Sequence, residues 1–233
     1  MTSEQPAAGA AAGPDATSLQ EQLDAMAART PDQIRSRVQT AIDEIERGGE
    51  AVGLPVGDVA PDFVLPDALG RPTALRAALE RGLVVLTFYR GEWCPYCNLQ
   101  LRSLQAALPD IRALNASLMA VSPQSPDHSL SVTEKHGLEF AVLSDADQSV
   151  IRAYRVQFAV AGELRDLHLD VFHSDPRDKN ADGSMNLPVP ATFIIGRDRV
   201  IRARFVNPDW RVRMEPAAII AALRGVGADA DPG

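Results

Sequence analysis

Two cysteines stand three apart in Trp93-Cys94-Pro95-Tyr96-Cys97, and the 233-residue chain has no others. Such a pair can carry two-electron thiol chemistry, one sulfur attacking and the second resolving the product as a disulfide. A continuous β-rich run, Val84 to Tyr89, precedes them and the text from Pro95 onward is helical, so both sulfurs are expected at a helix N-terminus. Unpaired backbone N–H groups and the positive end of the helix dipole favour a thiolate there, and a thiol so placed typically falls from about 8.5 into the range ~3.5–7.5. Cys94 is the expected nucleophile and Cys97, one turn later, the resolving thiol. Arg90 adds positive charge ahead of Cys94, partly offset by Glu92. Pro95 stiffens the connection, and Trp93 offers an apolar face beside the sulfur.

Metal binding and an inert pair are the competing readings. Zinc would need two further ligands, and His128, His136, His168 and His173 show no tight ligand spacing. His128 and His136 read as solvated helix residues. Asp178, Asn180, Asp182 and Gly183 mimic the opening of a calcium loop, but its twelfth position is Val189 where a bidentate glutamate is required, so the run reads as a polar surface turn. No metal or organic cofactor is expected.

The elements that must position the cysteines alternate between short apolar runs and helical segments. Phe63 to Leu65 predicts a strand, with Thr73 capping a helix to Leu79. After the helix that follows the cysteines to about Leu114 come a strand at Leu118 to Ser122, a helix at Leu130 to His136, a strand at Ala141 to Leu143 and a helix at Gln148 to Tyr154. Thr192 to Ile195 and Val200 to Val206 read as a hairpin, and Pro216 starts a last helix to about Arg224. This order describes an α/β fold, a central mixed sheet covered by helices on both faces. Residues 157 to 189 fit least well: Glu163 to Phe172 reads as an irregular helix before a polar run, and a segment of that length suggests a substrate-side flap.

Ahead of this domain, expected over residues 51–226, lies an N-terminal helical extension over 18–50. Its helices are Leu19 to Ala28 and Pro31 to Arg47, the second with Thr30 as N-cap and Gly48-Gly49 as stop. Leu23, Met26, Ile34, Val38, Ile42 and Ile45 form an apolar stripe that must pack on its own chain or on a second subunit. Residues 1–17, rich in Ala, Gly and Pro, are expected to be a disordered tail and 227–233 a flexible end. The formal net charge of -8 argues against nucleic acid or an anionic membrane surface as partner. Neither a signal peptide nor a membrane span is legible, so a cytoplasmic location is expected, where a paired cysteine serves chemistry and not stapling.

Val56-Gly57-Asp58-Val59-Ala60-Pro61-Asp62-Phe63 resembles the entry segment of the alkyl hydroperoxide reductase/thiol-specific antioxidant branch of the peroxiredoxins. The likeness continues through Val85 to Tyr89, the cysteine segment, Val121-Ser122-Pro123, Leu143-Ser144-Asp145 and Pro190-Ala191-Thr192-Phe193-Ile194-Ile195, covering about residues 52 to 224. Phe88 to Cys97 is similar to a peroxiredoxin-like subgroup. The resemblance implies a thioredoxin-like fold, Cys94 as the attacking sulfur, Cys97 as its resolving partner, and Pro190 as a cis-proline facing them that presents the backbone of Val189 to an extended substrate. Arg90, Trp93, Val189 and Pro190 are accordingly the candidate substrate-binding residues. The resemblance also leaves a homodimer open, dimers being common in the family.

Two departures matter. The family places a proline and a threonine ahead of its cysteine, the threonine hydroxyl helping to hold the peroxide, whereas Gly91 stands here. The loop is shorter and Glu-Trp-Cys-X-X-Cys matches thioredoxins, yet their buried acid is replaced by Phe88. Three functions follow as expectations. The leading one is a thiol-dependent peroxidase reducing hydrogen peroxide or organic hydroperoxides through a Cys94 sulfenic acid and a Cys94–Cys97 disulfide, recycled by a thioredoxin-type reductant. The others are a thiol-disulfide oxidoreductase acting on protein disulfides, and a redox-sensing binding module that moves the N-terminal helices or the 157–189 segment.

Overall fold

The computed structural model describes residues 17–229, so the tail expected over 1–17 lies, but for Thr17, outside the described residues, as does the end of the chain from 230. Two helices lead, α1 (Leu19–Ala28) and α2 (Asp32–Gly48), followed by a small hairpin, β1 (Val64–Pro66) and β2 (Pro72–Ala74), and a short α3 (Leu75–Leu79). The body comprises β3 (Leu83–Phe88), α4 (Pro95–Ala113), β4 (Ala116–Ser122), α5 (Pro126–His136), β5 (Ala141–Ser144) and α6 (Ser149–Ala153). Then come β6 (Gln157–Ala159), α7 (Gly162–Asp166), a π-turn Leu167–Val171, a 3-10 turn Pro176–Asp178, β7 (Asn186–Pro188), β8 (Ala191–Ile195), β9 (Ile201–Val206) and α8 (Pro216–Asp229).

The central sheet has the order β5-β4-β3-β8-β9, with β3, β4 and β5 parallel and β8 and β9 antiparallel to their neighbours. A strand buried on both faces reads as a continuous apolar run, and β3 is one. Val84, Leu86 and Phe88 point into a core shared with α2, α3 and α6, while Val85 points into a second core with α4 and α8. The mixed sheet covered on both faces is thus observed, and it places the C-terminal end of β3 at the middle of the molecule.

The apolar stripe of the N-terminal helices packs on its own chain. Leu19 and Leu23 close a small cluster over Leu99 and Tyr96 of α4, and Val38 and Ile42 enter the first core. Ser18 caps α1 with a capping box to Glu21. Thr30 does not cap α2. Pro31, extended at ψ 146, takes that place because its carbonyl accepts the first helical N–H groups, from Ile34 and Arg35. Thr73 likewise is no cap, since it pairs with Leu65 inside β2.

Residues 157–189 carry secondary structure of their own. β6 and β7 pair antiparallel, and between them α7 runs directly into the π-turn, the irregular helix expected there. The calcium-like run is a turn bonded to itself: the side-chain amide of Asn180 donates to the carbonyls of Ser184 and Asn186, and Asn180 is buried, not a surface residue. Among the described residues no group of acidic, histidine or cysteine side chains has a metal-binding arrangement, and no helix is long and apolar enough to cross a membrane.

Candidate functional site

β3 ends at Phe88, paired with Ala191 of β8, and the chain turns through residues 89–93 before α4 begins at Pro95 with Cys94 in the N-cap position. Pro95 suits the first helical position, where its missing N–H costs nothing. The Cys94 N–H donates to the Gly91 carbonyl (3.2 Å), and the Asn98 side chain donates to the Glu92 carbonyl (2.8 Å), fastening the turn to the helix. No disulfide joins the two cysteines in this structure, and they are nearly sealed, at 1% and 0% exposure.

Two guanidinium groups converge on the sulfurs. Arg213, from the segment between β9 and α8, donates through Nη2 to Cys97 Sγ (3.6 Å), and its Nε donates to Gln100 Oε1 (2.8 Å). Gln100 in turn donates to Thr87 Oγ1 (3.3 Å) on β3, so a buried polar chain ties Cys97 to the middle of the sheet. Arg90 lies on the other side, its charge acting on both Cys94 and Cys97. Its guanidinium stacks 5.0 Å from the Trp93 ring and 4.7 Å from the Trp210 ring, and its Nη2 donates to His168 Nε2 (2.7 Å). The π-turn supplies that histidine. Burial, and then the charge of Arg90, push His168 down to about 4, so it is neutral near pH 7 and its Nδ1–H donates to the Ser174 carbonyl (2.7 Å). The Glu92 carboxylate faces His128 Nδ1 at 2.5 Å.

Burial alone would raise both thiols. For Cys97 the hydrogen bond from Cys94 and the charges of Arg213 and Arg90 outweigh it, bringing the thiol down to about 5. Cys94 is held high by burial, by the proton it shares with Cys97 and by the charge of Cys97. The pair therefore gives up one proton readily and retains the other between its sulfurs, a property of the two together. The easily ionised thiol is thus Cys97, under Arg213 and Arg90, and not Cys94, the sulfur expected to ionise at the helix terminus; burial and the neighbouring Cys97 outweigh the cations there.

Of the residues singled out in the sequence, Cys94, Cys97, Arg90 and Trp93 come together. Pro190, next to the Phe88–Ala191 pair, lies at the same end of the sheet and is buried. Its peptide bond is trans, like every other among the described residues, which corrects the expected cis-proline. The Val189 N–H is not offered to a substrate either: it donates to the Val156 carbonyl (2.9 Å), and the Pro190 carbonyl accepts from Asn207 (3.3 Å). Both sides of this dipeptide are engaged by neighbouring chain, and the trans form is the lower-energy default. Sequence reasoning missed Arg213, Gln100, Trp210 and Gln124, and gave His168 no role. The one available signal was Gln124, which directly follows Val121-Ser122-Pro123.

Beside the site, a cavity of about 210 Å³ lies between the N-terminal helices and the first turn of α4, walled by Met26, Val38, Tyr96, Phe172, Trp210 and Arg211.

The sequence profile of the AhpC/TSA family matches residues 56–204. A putative peroxiredoxin of Mycobacterium tuberculosis is 33% identical over 101 residues, 43% of this chain and 64% of its own length, so the match spans just under two thirds of that relative. Peroxiredoxin Bcp of Escherichia coli is 31% identical over 110 residues, 47% of this chain and 67% of its own. The thiol-disulfide oxidoreductase ResA of Geobacillus kaustophilus is 32% identical over 108 residues, 46% of this chain and 61% of its own. Among solved structures, peroxidoxin BcpB of Mycobacterium tuberculosis superposes with a TM-score of 0.59 at 22% identity, covering 74% of this chain and 98% of that one, a likeness of fold. The fold is thioredoxin-like, and with its profile match spanning well over half of its length the chain belongs to the AhpC/TSA family.

Proposed function

We propose that the protein is a thiol-dependent peroxidase, reducing hydrogen peroxide or organic hydroperoxides at Cys94. The observation that carries this reading is the sealed Cys94–Cys97 pair, with the Arg213 guanidinium on Cys97 and the charge of Arg90 beside it. With one proton between the two sulfurs, transfer of that proton to Cys97 leaves Cys94 as a thiolate. Its lone pair forms a bond to one peroxide oxygen, the O–O bond breaks, and the departing oxygen takes the proton from the Cys97 thiol and leaves as water or alcohol. Cys94 is then a sulfenic acid and Cys97 again a thiolate. Attack of Cys97 on the Cys94 sulfur expels hydroxide and forms the disulfide, so the two thiols lose two electrons and the peroxide gains them. A thioredoxin-type reductant in the cytoplasm returns the disulfide to thiols.

Arg90 and Arg213 stabilise the negative charge through both steps, Trp93 screens the sulfur from water, and the cavity beside Tyr96 accommodates an organic substituent. Burial favours a small oxidant over a folded protein disulfide, which cannot reach sulfurs at 1% and 0% exposure without local opening.

Stopped-flow tryptophan fluorescence of the reduced protein mixed with hydrogen peroxide tests the reading, since Trp93 and Trp210 both flank Arg90. A signal linear in peroxide concentration, far faster than a free thiol and lost in Cys94→Ser, is expected. Oxidation no faster than that of a free thiol at the same pH would eliminate the peroxidase and leave disulfide exchange.

A further inference from the structure

Eight buried side-chain nitrogen or oxygen atoms find no hydrogen-bond partner among the described residues, and three of them, Arg90 Nε, Trp93 Nε1 and Gln124 Nε2, belong to residues that meet at the turn ahead of Cys94. All three are N–H donors. Leaving a buried donor unpaired costs free energy, and a cluster of such groups in a native interior calls for an acceptor. Gly91 lies where the Trp93 indole N–H meets the amide end of Gln124, on its Oε1 side. It adopts a φ of +149, and a Cβ built on it would lie 2.4 Å from Trp93 Nε1 and 2.9 Å from Gln124 Oε1. A side chain on residue 91 would collide with the indole N–H and the glutamine amide, so glycine here is a condition for their position. The orientation of Gln124 is fixed as well: its Oε1 accepts the Glu92 N–H at 2.6 Å, which leaves the NH2 end open, and the residue is fully buried just after β4.

We propose that Trp93 Nε1–H and Gln124 Nε2–H hydrogen-bond the oxygens of the hydroperoxide at Cys94, in place of a side-chain hydroxyl at position 91. The inference rests on the peroxidase reading and specifies how that site recognises its substrate. A hydroperoxide brings two adjacent oxygens rich in lone pairs, matching donors that have no partner, while the neighbouring acceptor Gln124 Oε1 is engaged by the Glu92 N–H. As the Cys94 sulfur bonds the near oxygen and the O–O bond breaks, the electron pair moves to the far oxygen. Donors already aimed at that charge stabilise it until the proton from Cys97 arrives. Arg90 Nε, beside the same turn, supplies positive charge to it.

The test compares two reactions of Cys94 in the full-length protein, oxidation by hydrogen peroxide and alkylation by iodoacetamide read specifically at Cys94 by fragment mass spectrometry, in which the same sulfur is the nucleophile but no O–O bond is presented. The variants are Trp93→Phe and Gln124→Met, each of which removes the N–H donor without adding charge. In each, the ratio of the peroxide rate constant to the alkylation rate constant is expected to fall about ten-fold or more, with the far-ultraviolet circular dichroism spectrum unchanged. An unchanged ratio overturns the inference, whether the two rates hold or fall together, because the side chains then act on the thiol or the fold and not on the peroxide. Failure of the peroxidase reading shows separately and earlier: the unmodified protein would react with peroxide no faster than a free thiol, and the inference would fall with it.

Discussion

Arg213 and Cys97 are 116 residues apart in the chain and in contact in the fold, and the acidity of the thiol pair depends on that contact. Cys97 lies below the usual thiol range because Cys94 donates to it and because Arg213 and Arg90 oppose the desolvation that burial imposes. The pair should therefore show thiolate absorbance that rises as pH increases through about 5. In Arg213→Gln the midpoint should move upward by about one unit or more, the shift expected for losing an adjacent cation. An unchanged midpoint would place the stabilisation elsewhere. Little of this was legible in the sequence. A Cys-X-X-Cys after a buried strand announces thiol chemistry through local spacing, whereas Arg213 and His168 reach the site from elements whose own patterns say nothing about sulfur. The cis-proline expectation failed for a related reason: Val156 and Asn207, which engage the backbone on either side of Pro190, are invisible to local reading.

The first turn of α4 is held from outside by α1. Leu19 and Leu23 rest on Leu99 and Tyr96, and the N–H groups of Leu19 and Gln20 donate to the Glu215 carboxylate just ahead of α8. Leu23 is fully buried, so Leu23→Ala should destabilise the protein by about 2–5 kcal/mol in urea unfolding, the usual cost of a cavity left by a core leucine. A much smaller loss would mean that α1 is only loosely seated. The helices themselves were plain from their period and stops, and α1 matches its expected bounds. The caps were less so, because whether Thr30 or Pro31 supplies the first acceptor depends on backbone angles that composition does not fix. The π-turn was readable as irregularity, but which face it would present was not.

Across the whole molecule, two cores meet at β3, and the buried ionisable groups between them make stability sensitive to acid. His168 titrates at about 4 in the folded protein and near 6.5 when exposed. The unfolded chain thus binds the proton first, and the stability that a neutral His168 contributes, complete above pH 6.5, is lost as the pH falls towards 4. This residue alone should make the protein about 2 kcal/mol less stable at pH 5 than at pH 7, and His168→Gln should remove that portion of the slope in urea unfolding at the two pH values. An identical slope in the variant would assign the dependence to other groups. The site is also completed from beyond the segment that matches the family. Residues 56–204 carry both cysteines and Arg90, yet Trp210 and Arg213 follow that segment. Protein synthesis runs from the N-terminus, so the cysteines leave the ribosome well before the cation that acidifies them. A nascent chain then exposes two thiols of ordinary, sluggish reactivity, and they become sensitive to oxidant only when the segment carrying Arg213 has been made and folded back onto them.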